Sequence, residues 1–386
     1  MPVSRSRLPG FYKHGVRERR DIVAELAGLG EDEKGALSTG ALSEDVADRM
    51  IENVVGTYAL PVGIATNFVI DGAAYLVPFV VEEASVVAAA SNAAKRCLVR
   101  GGFRTSSDDG GVMIAQVELR DARPGAAAAI RGAAEELGEI CDASMESMVR
   151  RGGGFRGVET RQISESIVVA HLLLDCRDAM GANLVNTVAE AAAPRLAEIS
   201  GGRVGLRILS NLCTHRVARC EATFTPRELD PDGDAVVDAI VEAYEFARLD
   251  PFRACTNNKG VMNAISAVAL ATGQDWRAVE AAAHAYCGLG PSYAPMAAWR
   301  KNDDGDLVGA IELPMAVGTV GGNVKLHPAA RANLKILGVD SAADLAKVLV
   351  AAGLAQNLAA LRALATDGIQ KGHMRLHARS RQDIKV

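Results

Sequence analysis

VMIAQVEL (112–119), AAAAIRGAAEELGEICDAS (126–144), GVETRQISESIVVAHLLLDC (157–176), AMGANLVNTVAEAAAPRLAEIS (179–200) and RVGLRILSN (203–211) follow one another without a long linker. They read as strand, helix, two strands, helix and strand, the split βαβ order of a ferredoxin-like unit. The flanking sequence has a different texture. Residues 18–56 are expected to be helical, with Ser43 capping EDVADRMIENVVG. TYALPVGIATNFVIDGAAYLVPFVV (57–81) alternates and breaks at Pro61 and at Asp71-Gly72, as a strand and hairpin do. EEASVVAAASNAAKRCLVRGG (82–102) is a small-residue helix closed by two glycines. Beyond residue 215 the chain reads as helices and connectors, ending in AADLAKVLVAAGLAQNLAALRALAT (342–366). The fold class is therefore α+β: a larger, mostly helical unit (1–109 and 216–372), a small inserted unit (110–215) and a short tail (373–386).

Composition removes several classes of function. A chain of 386 residues can bury a large core and divide into two domains. With a net charge of −5 there is no global basic field, so nucleic acid is not an expected partner. The opening MPVSRSRLPGFYKHG has no apolar core and is not expected to be a signal peptide. The apolar run near residue 80 is broken by Glu82 and Glu83, so no membrane span is expected. Seven cysteines without a CxxC pair read as reduced thiols of a cytoplasmic protein, and the seven histidines show no metal-ligand spacing.

Chemistry gathers in RACTNNKGVMNAISAVALATGQDWRAVEAAAHAYC (253–287). Lys259 is a lone cation among Asn257, Asn258 and Asn263, with apolar runs on either side. A partly enclosed lysine can hold positive charge beside a carbonyl oxygen that becomes an alkoxide; the plainer alternative is a surface lysine. Asp275 is either the partner of Lys259 or a simple helix cap. Glu83 opens a helix, where the dipole favours a carboxylate, or sits in an apolar cleft as a proton donor. DAMGAN (178–183) joins a strand to a helix. Asp178 is expected to cap that helix, and Gly181 to let a ligand approach its first turn, a suitable place for a pyrophosphate. No GxGxxG follows a strand, so a Rossmann domain is not indicated. GTVGG, with Gly321 and Gly322, is weak taken singly. His373, after a glycine turn, has His377 as an equally plain neighbour.

In combination these segments are specific. ENVVGTYALPVG (52–63), VVEEASVVAAAS (80–91), GGGFRGVE (152–159), DAMGANLVNTVAEA (178–191), RILSNL (207–212), DPFRACTNNKGVMN (250–263), AVEAAAHAYC (278–287), ELPMAVGTVGG (312–322) and LAQNLAALRALATDGIQKGHM (354–374) occur in one order. The chain closely resembles the class II 3-hydroxy-3-methylglutaryl-coenzyme A (HMG-CoA) reductases over nearly its whole length. The resemblance implies a large domain around a central helix, an inserted ferredoxin-like, non-Rossmann domain, and reduction of HMG-CoA to mevalonate and coenzyme A by two hydride transfers. It places the catalytic set on Glu83, Lys259, Asp275 and His373, and substrate contacts on Ser85, Arg253, Asn263 and Asn211. A guanidinium at Arg253 suits a free carboxylate because it offers a bidentate fork. Dinucleotide contacts fall on Asp178, Met180, Gly181 and Asn183, with Gly321 and Gly322. Asp142 or Glu146 is the acidic residue expected at the adenosine ribose, which favours NAD(H) over NADP(H). The resemblance also implies a homodimer, or a trimer of dimers, with the active site between subunits.

Two features depart from the family. Only thirteen residues follow His373, where class II enzymes carry a longer helical flap. Asn257 stands where a histidine is common. Other classes of function on the same fold are a non-redox acyl-coenzyme A binder or hydrolase and a silent paralogue; the complete Glu, Lys, Asp and His set and DAMGAN weigh against them.

Overall fold

A computed structural model describes residues 5–38, 42–108, 110–366 and 368. In chain order the strands are β1 (Val62–Ile70), β2 (Ala73–Val80), β3 (Phe103–Ser107), β4 (Val112–Arg120), β5 (Gly154–Ser164), β6 (Ile167–Asp175), β7 (Arg203–Ser210), β8 (Val217–Phe224), β9 (Ala297–Lys301) and β10 (Leu307–Pro314). They form a six-stranded sheet, β2-β1-β3-β8-β10-β9, and a four-stranded sheet, β5-β6-β4-β7.

The smaller sheet is the ferredoxin-like unit expected from its pattern. β4 pairs antiparallel with both β6 and β7, and β5 with β6. Met113, Ala115, Val117 and Leu119 alternate inward on β4 and meet Val185, Val188, Ala192 and Leu196 of the Ala182–Ser200 helix in a separate core. The unit leaves the larger sheet after β3 and returns at β8, and these two strands are antiparallel neighbours, Ser107 opposite Ala218. The Asp108 N–H donates to the Val217 carbonyl and the Val217 N–H to the Asp108 carboxylate, so entry and exit are clamped together.

The larger sheet was only partly legible. The β1–β2 hairpin turns at Asp71-Gly72 as expected. β8, β9 and β10 lie where helices and connectors were expected. The region read as one helical stretch near the start is three short helices, Val16–Ala27, Glu31–Ala36 and Glu44–Asp48; Ser43 caps the last.

The Ala342–Ala365 helix runs through the middle of the larger core and packs against the Pro251–Ala271 helix, the Val86–Arg96 helix and β8. Its apolar character is nearly continuous, and by length and composition it is the one helix among the described residues that could cross a membrane, which corrects the sequence reading on that point. It is mostly buried within the protein. A core helix surrounded on all sides carries that pattern for the same physical reason as a lipid-facing one.

Candidate active site

The Pro251–Ala271 helix starts at Asp250, whose carboxylate accepts the Arg253 N–H, with Pro251 at its first position. Asn257 and Asn258 face inward and are buried. Asn357 of the central helix donates to Asn257, and Trp299 donates to Asn357. Asn258 donates to the Ala294 carbonyl and the Tyr293 hydroxyl and accepts the Met296 N–H. With these amides satisfied inside, Lys259 is turned outward. Its Nζ donates to Glu83 Oε2 at 2.8 Å, across 176 residues of sequence. The enclosure expected from the flanking apolar runs is not found within one chain: the Lys259 side chain is 62% exposed and that of Glu83 37%.

Glu83 lies between β2 and the Val86–Arg96 helix, next to a strained turn. Ser85 adopts φ 80°, left-handed without being glycine, and its buried hydroxyl has no hydrogen-bond partner among the described residues. Such strain persists only where the surroundings enforce it, and it concentrates at functional sites. Arg253 is half-buried, and burial pulls its guanidinium below the usual range. No carboxylate pairs with it among the described residues, so a partly desolvated cation is left for an incoming anion. Asn263 is one turn beyond Lys259 on the same helical face.

Asp275 is elsewhere. Its Oδ1 accepts the Ala278 N–H and caps the Trp276–Cys287 helix, with Arg277 at 4.0 Å. Twelve helical steps lead from Lys259 to Ala271, a rise of about 18 Å at roughly 1.5 Å per residue, and Asp275 lies beyond that end. Within one chain Lys259 therefore pairs with Glu83, and Asp275 serves as a helix cap, the other of its two readings from the sequence.

At the DAMGAN loop, the Asp178 Oδ1 accepts the Ala342 N–H at 2.9 Å and so caps the central helix, not the one that follows it in sequence. Gly181 occupies the cap of the Ala182–Ser200 helix at φ 85°; a Cβ there would lie 2.5 Å from the Cys176 sulfur. The glycine thus serves close packing as well as backbone conformation. Among the described residues no side chain caps that helix, no acid stands in its first turn, and Asn183 is exposed. Met180 packs against the smaller core.

The GTVGG segment meets the DAMGAN loop here. Ala179 bridges Val320, and the Thr319 N–H donates to the Asp178 carbonyl at 2.9 Å, which brings Gly321 and Gly322 beside the loop. Asp142 is half-buried and its Oδ1 accepts the Phe155 N–H, while Glu146 is exposed. Asn211 is exposed on the loop between β7 and β8. His373 lies outside the described residues.

Two further polar groups escaped the sequence reading. Arg216 is buried and donates to the carbonyls of Ala179, Arg177 and Val317, a guanidinium tying the inserted unit to the larger one. Burial outweighs its charged neighbours and lowers its pKa. Gln356, buried in the central helix beside Asn357, has no partner for its Oε1 among the described residues. A lone Arg or Gln in an apolar segment was the only available signal, and one residue cannot reveal its partners.

Residues 15–378 match the hydroxymethylglutaryl-coenzyme A reductase family. The chain is 50% identical over 380 residues to the 3-hydroxy-3-methylglutaryl-coenzyme A reductase of Archaeoglobus fulgidus, covering 97% of this chain and 86% of that one. It is 38% identical to a probable reductase of the same name from Borreliella burgdorferi, covering 87% and 78%. The class II enzyme of Streptococcus pneumoniae, solved bound to NADPH in open conformations, superposes with a TM-score of 0.89 at 38% identity, covering 93% of this chain and 99% of that one. The α+β fold with its ferredoxin-like, non-Rossmann insert thus agrees with one class, the dinucleotide-dependent reductases. The chain belongs to the HMG-CoA reductase family.

Proposed function

We propose that this protein interconverts HMG-CoA with mevalonate and coenzyme A. The observation that carries this reading is the Lys259–Glu83 pair at 2.8 Å, on a helix that also carries a half-buried Arg253 without a carboxylate partner among the described residues. Arg253 takes the free carboxylate of the acyl group through its guanidinium fork. Lys259, with Ser85 and Asn263 around it, holds positive charge where the thioester carbonyl oxygen becomes an alkoxide. Glu83 is within hydrogen-bond reach of that lysine and supplies the proton the second reduction needs. His373 protonates the departing thiolate, a role open to an imidazolium near neutral pH.

A nicotinamide dinucleotide, when bound, supplies the hydride for both reductions. The smaller unit (110–215) fits such a group: the uncapped first turn of the 19-residue Ala182–Ser200 helix presents free N–H groups to a pyrophosphate. Asp178 and Met180 shape the loop, Gly181, Gly321 and Gly322 leave it room, and Asp142 or Glu146 supports a preference for NADH. The larger unit (1–109 and 216–372) holds the thioester.

The assembled site needs a second copy of the chain, in a dimer or a trimer of dimers. Glu83, Lys259 and Arg253 are grouped at one end of a helix, and Asp275 and the dinucleotide loop at the other. An Asp275 from a neighbouring copy would orient Lys259 and keep it charged. The extended stretch near Val55 and Tyr58, both almost fully exposed, provides apolar surface for that contact. We assign the protein to the cytoplasm. The test is stoichiometric: about two equivalents of reduced dinucleotide consumed per thioester, with NADH and NADPH compared on one preparation. Thiol release without dinucleotide consumption would instead identify an acyl-coenzyme A hydrolase.

A further inference from the structure

Gln274, immediately before Asp275, is buried, and every polar atom of its side chain is used. Its Nε2 donates to the Thr272 carbonyl and to the Gly318 carbonyl, both at 2.9 Å, and its Oε1 accepts the Gly318 N–H at 2.8 Å. One amide therefore grips both sides of Gly318, as a neighbouring strand would. The far face of Gly318 is as close to the dinucleotide loop. A Cβ on it would stand 2.6 Å from the Met180 nitrogen and 2.8 Å from the Asp178 oxygen. The next residues carry the contact on, with Thr319 donating to Asp178 and Val320 bridging Ala179. The Asp275 turn, the 316–320 segment and the Asp178–Gly181 loop are thus stacked, with Gln274 the link at one edge. Arg216 holds the same segment from another side through the Val317 and Ala179 carbonyls, so the segment cannot shift alone.

We propose that Gln274 is a positioning residue that sets the dinucleotide loop relative to Asp275 by gripping the Gly318 peptide. The proposal rests on the reductase reading and adds a residue to it. Only an amide fits the role, because the position needs one acceptor and two donors on a single planar group. A leucine of similar volume leaves the Gly318 N–H and two carbonyls unpaired. A glutamate keeps the acceptor and, when ionised, sets a charge against two carbonyl oxygens. When protonated it regains one donor, and burial beside those carbonyls favours the protonated form.

The experiment measures NADH affinity by fluorescence titration without thioester, together with the Michaelis constant for HMG-CoA and the melting temperature, in Gln274→Leu, Gln274→Glu and Gly318→Ala. In folded variants we expect NADH to bind on the order of 10-fold more weakly, the scale of one or two lost hydrogen bonds, and the HMG-CoA constant to change clearly less, since Gln274 bonds only to the backbones of Thr272 and Gly318. Gln274→Glu should recover NADH affinity, relative to wild type, as pH is lowered from about 8 to about 6, a rescue that general loosening of the fold does not produce. If Gln274→Leu fails to fold, the pH response of Gln274→Glu and the Gly318→Ala result decide. NADH affinity unchanged in Gly318→Ala and unresponsive to pH in Gln274→Glu overturns the proposal, as does parallel weakening of NADH and HMG-CoA. Wild-type protein that binds NADH yet releases thiol without consuming it overturns the reductase reading instead and leaves the binding test standing.

Discussion

The two ends of the Pro251–Ala271 helix are built on opposite plans. In the first half, among the described residues, Arg253 has no carboxylate partner, the Ser85 hydroxyl beside the helix has no hydrogen-bond partner, and Lys259 stands largely in solvent, paired with Glu83. At the far end, Gln274 and Arg216 bury their polar groups against the backbone, and Asn333 donates to the Ala271 carbonyl although its Oδ1 has no partner among the described residues. Asp175 is likewise surrounded by N–H donors and arginines. One stretch leaves its polar groups open and the other uses them in contacts between chain segments. Open polar groups weigh little on stability and heavily on chemistry, whereas closed ones do the reverse. The difference can be tested residue by residue.

The largest effect is expected at the open end. Lys259→Ala should lower turnover by at least ~10²–10³, the loss typical of a single oxyanion donor, with more expected for a charged one. Because the lysine is exposed, the melting temperature should hardly move. A variant retaining more than about a tenth of wild-type turnover, a difference of only ~1.4 kcal/mol, would remove the lysine from the chemistry. Arg253→Ala should act mainly on substrate binding, raising the Michaelis constant for HMG-CoA roughly 10- to 100-fold, as expected for losing a hydrogen-bonded ion contact. An unchanged constant would send the substrate carboxylate to another cation.

At the closed end the balance reverses. Burial pushes the Asp175 carboxyl upward, but the N–H groups of Arg177 and Gly111 and the Arg156 guanidinium outweigh it and hold its pKa below the ordinary value. A carboxyl depressed in the folded state contributes stability that is complete above its unfolded pKa of ~3.9 and is lost as pH falls through the folded value. Asp175→Asn should therefore cost about 2–4 kcal/mol of unfolding free energy at neutral pH, read by denaturant titration. The gap between variant and wild type should narrow below about pH 4. A gap that stays constant with pH would show that the carboxylate's charge is not what stabilises the junction.

Legibility in the sequence followed the same division. The inserted unit could be read because its strands alternate and its helices are long, and local periodicity is what a single sequence shows best. β8 was missed although Ala218, Cys220, Ala222 and Phe224 alternate inward; Arg219 and Glu221 between them resemble an ordinary loop or helix surface until the neighbouring strands are known. Glu83 and Lys259 could be named through resemblance, but their contact spans 176 residues and no spacing rule reaches that far. Asp178 was taken for a cap of its own helix. It caps one that starts 164 residues later, a long-range choice with no local signature. Gln274 and Arg216 were invisible for the same reason: their partners are backbone carbonyls, which every residue offers.

The central claim is that the open and closed ends meet only between two copies of the chain. Lys259→Ala and Asp275→Ala should each be inactive as separate homo-oligomers. When the two are mixed, dissociated under mild denaturant and reassembled, half of the dimers are mixed. Each mixed dimer has one site with both residues intact, so activity should return to about a quarter of wild type. Mixtures that reassemble fully, as shown by size and by exchange of a labelled subunit, yet stay inactive would place Lys259 and Asp275 in a site within one chain and contradict the account.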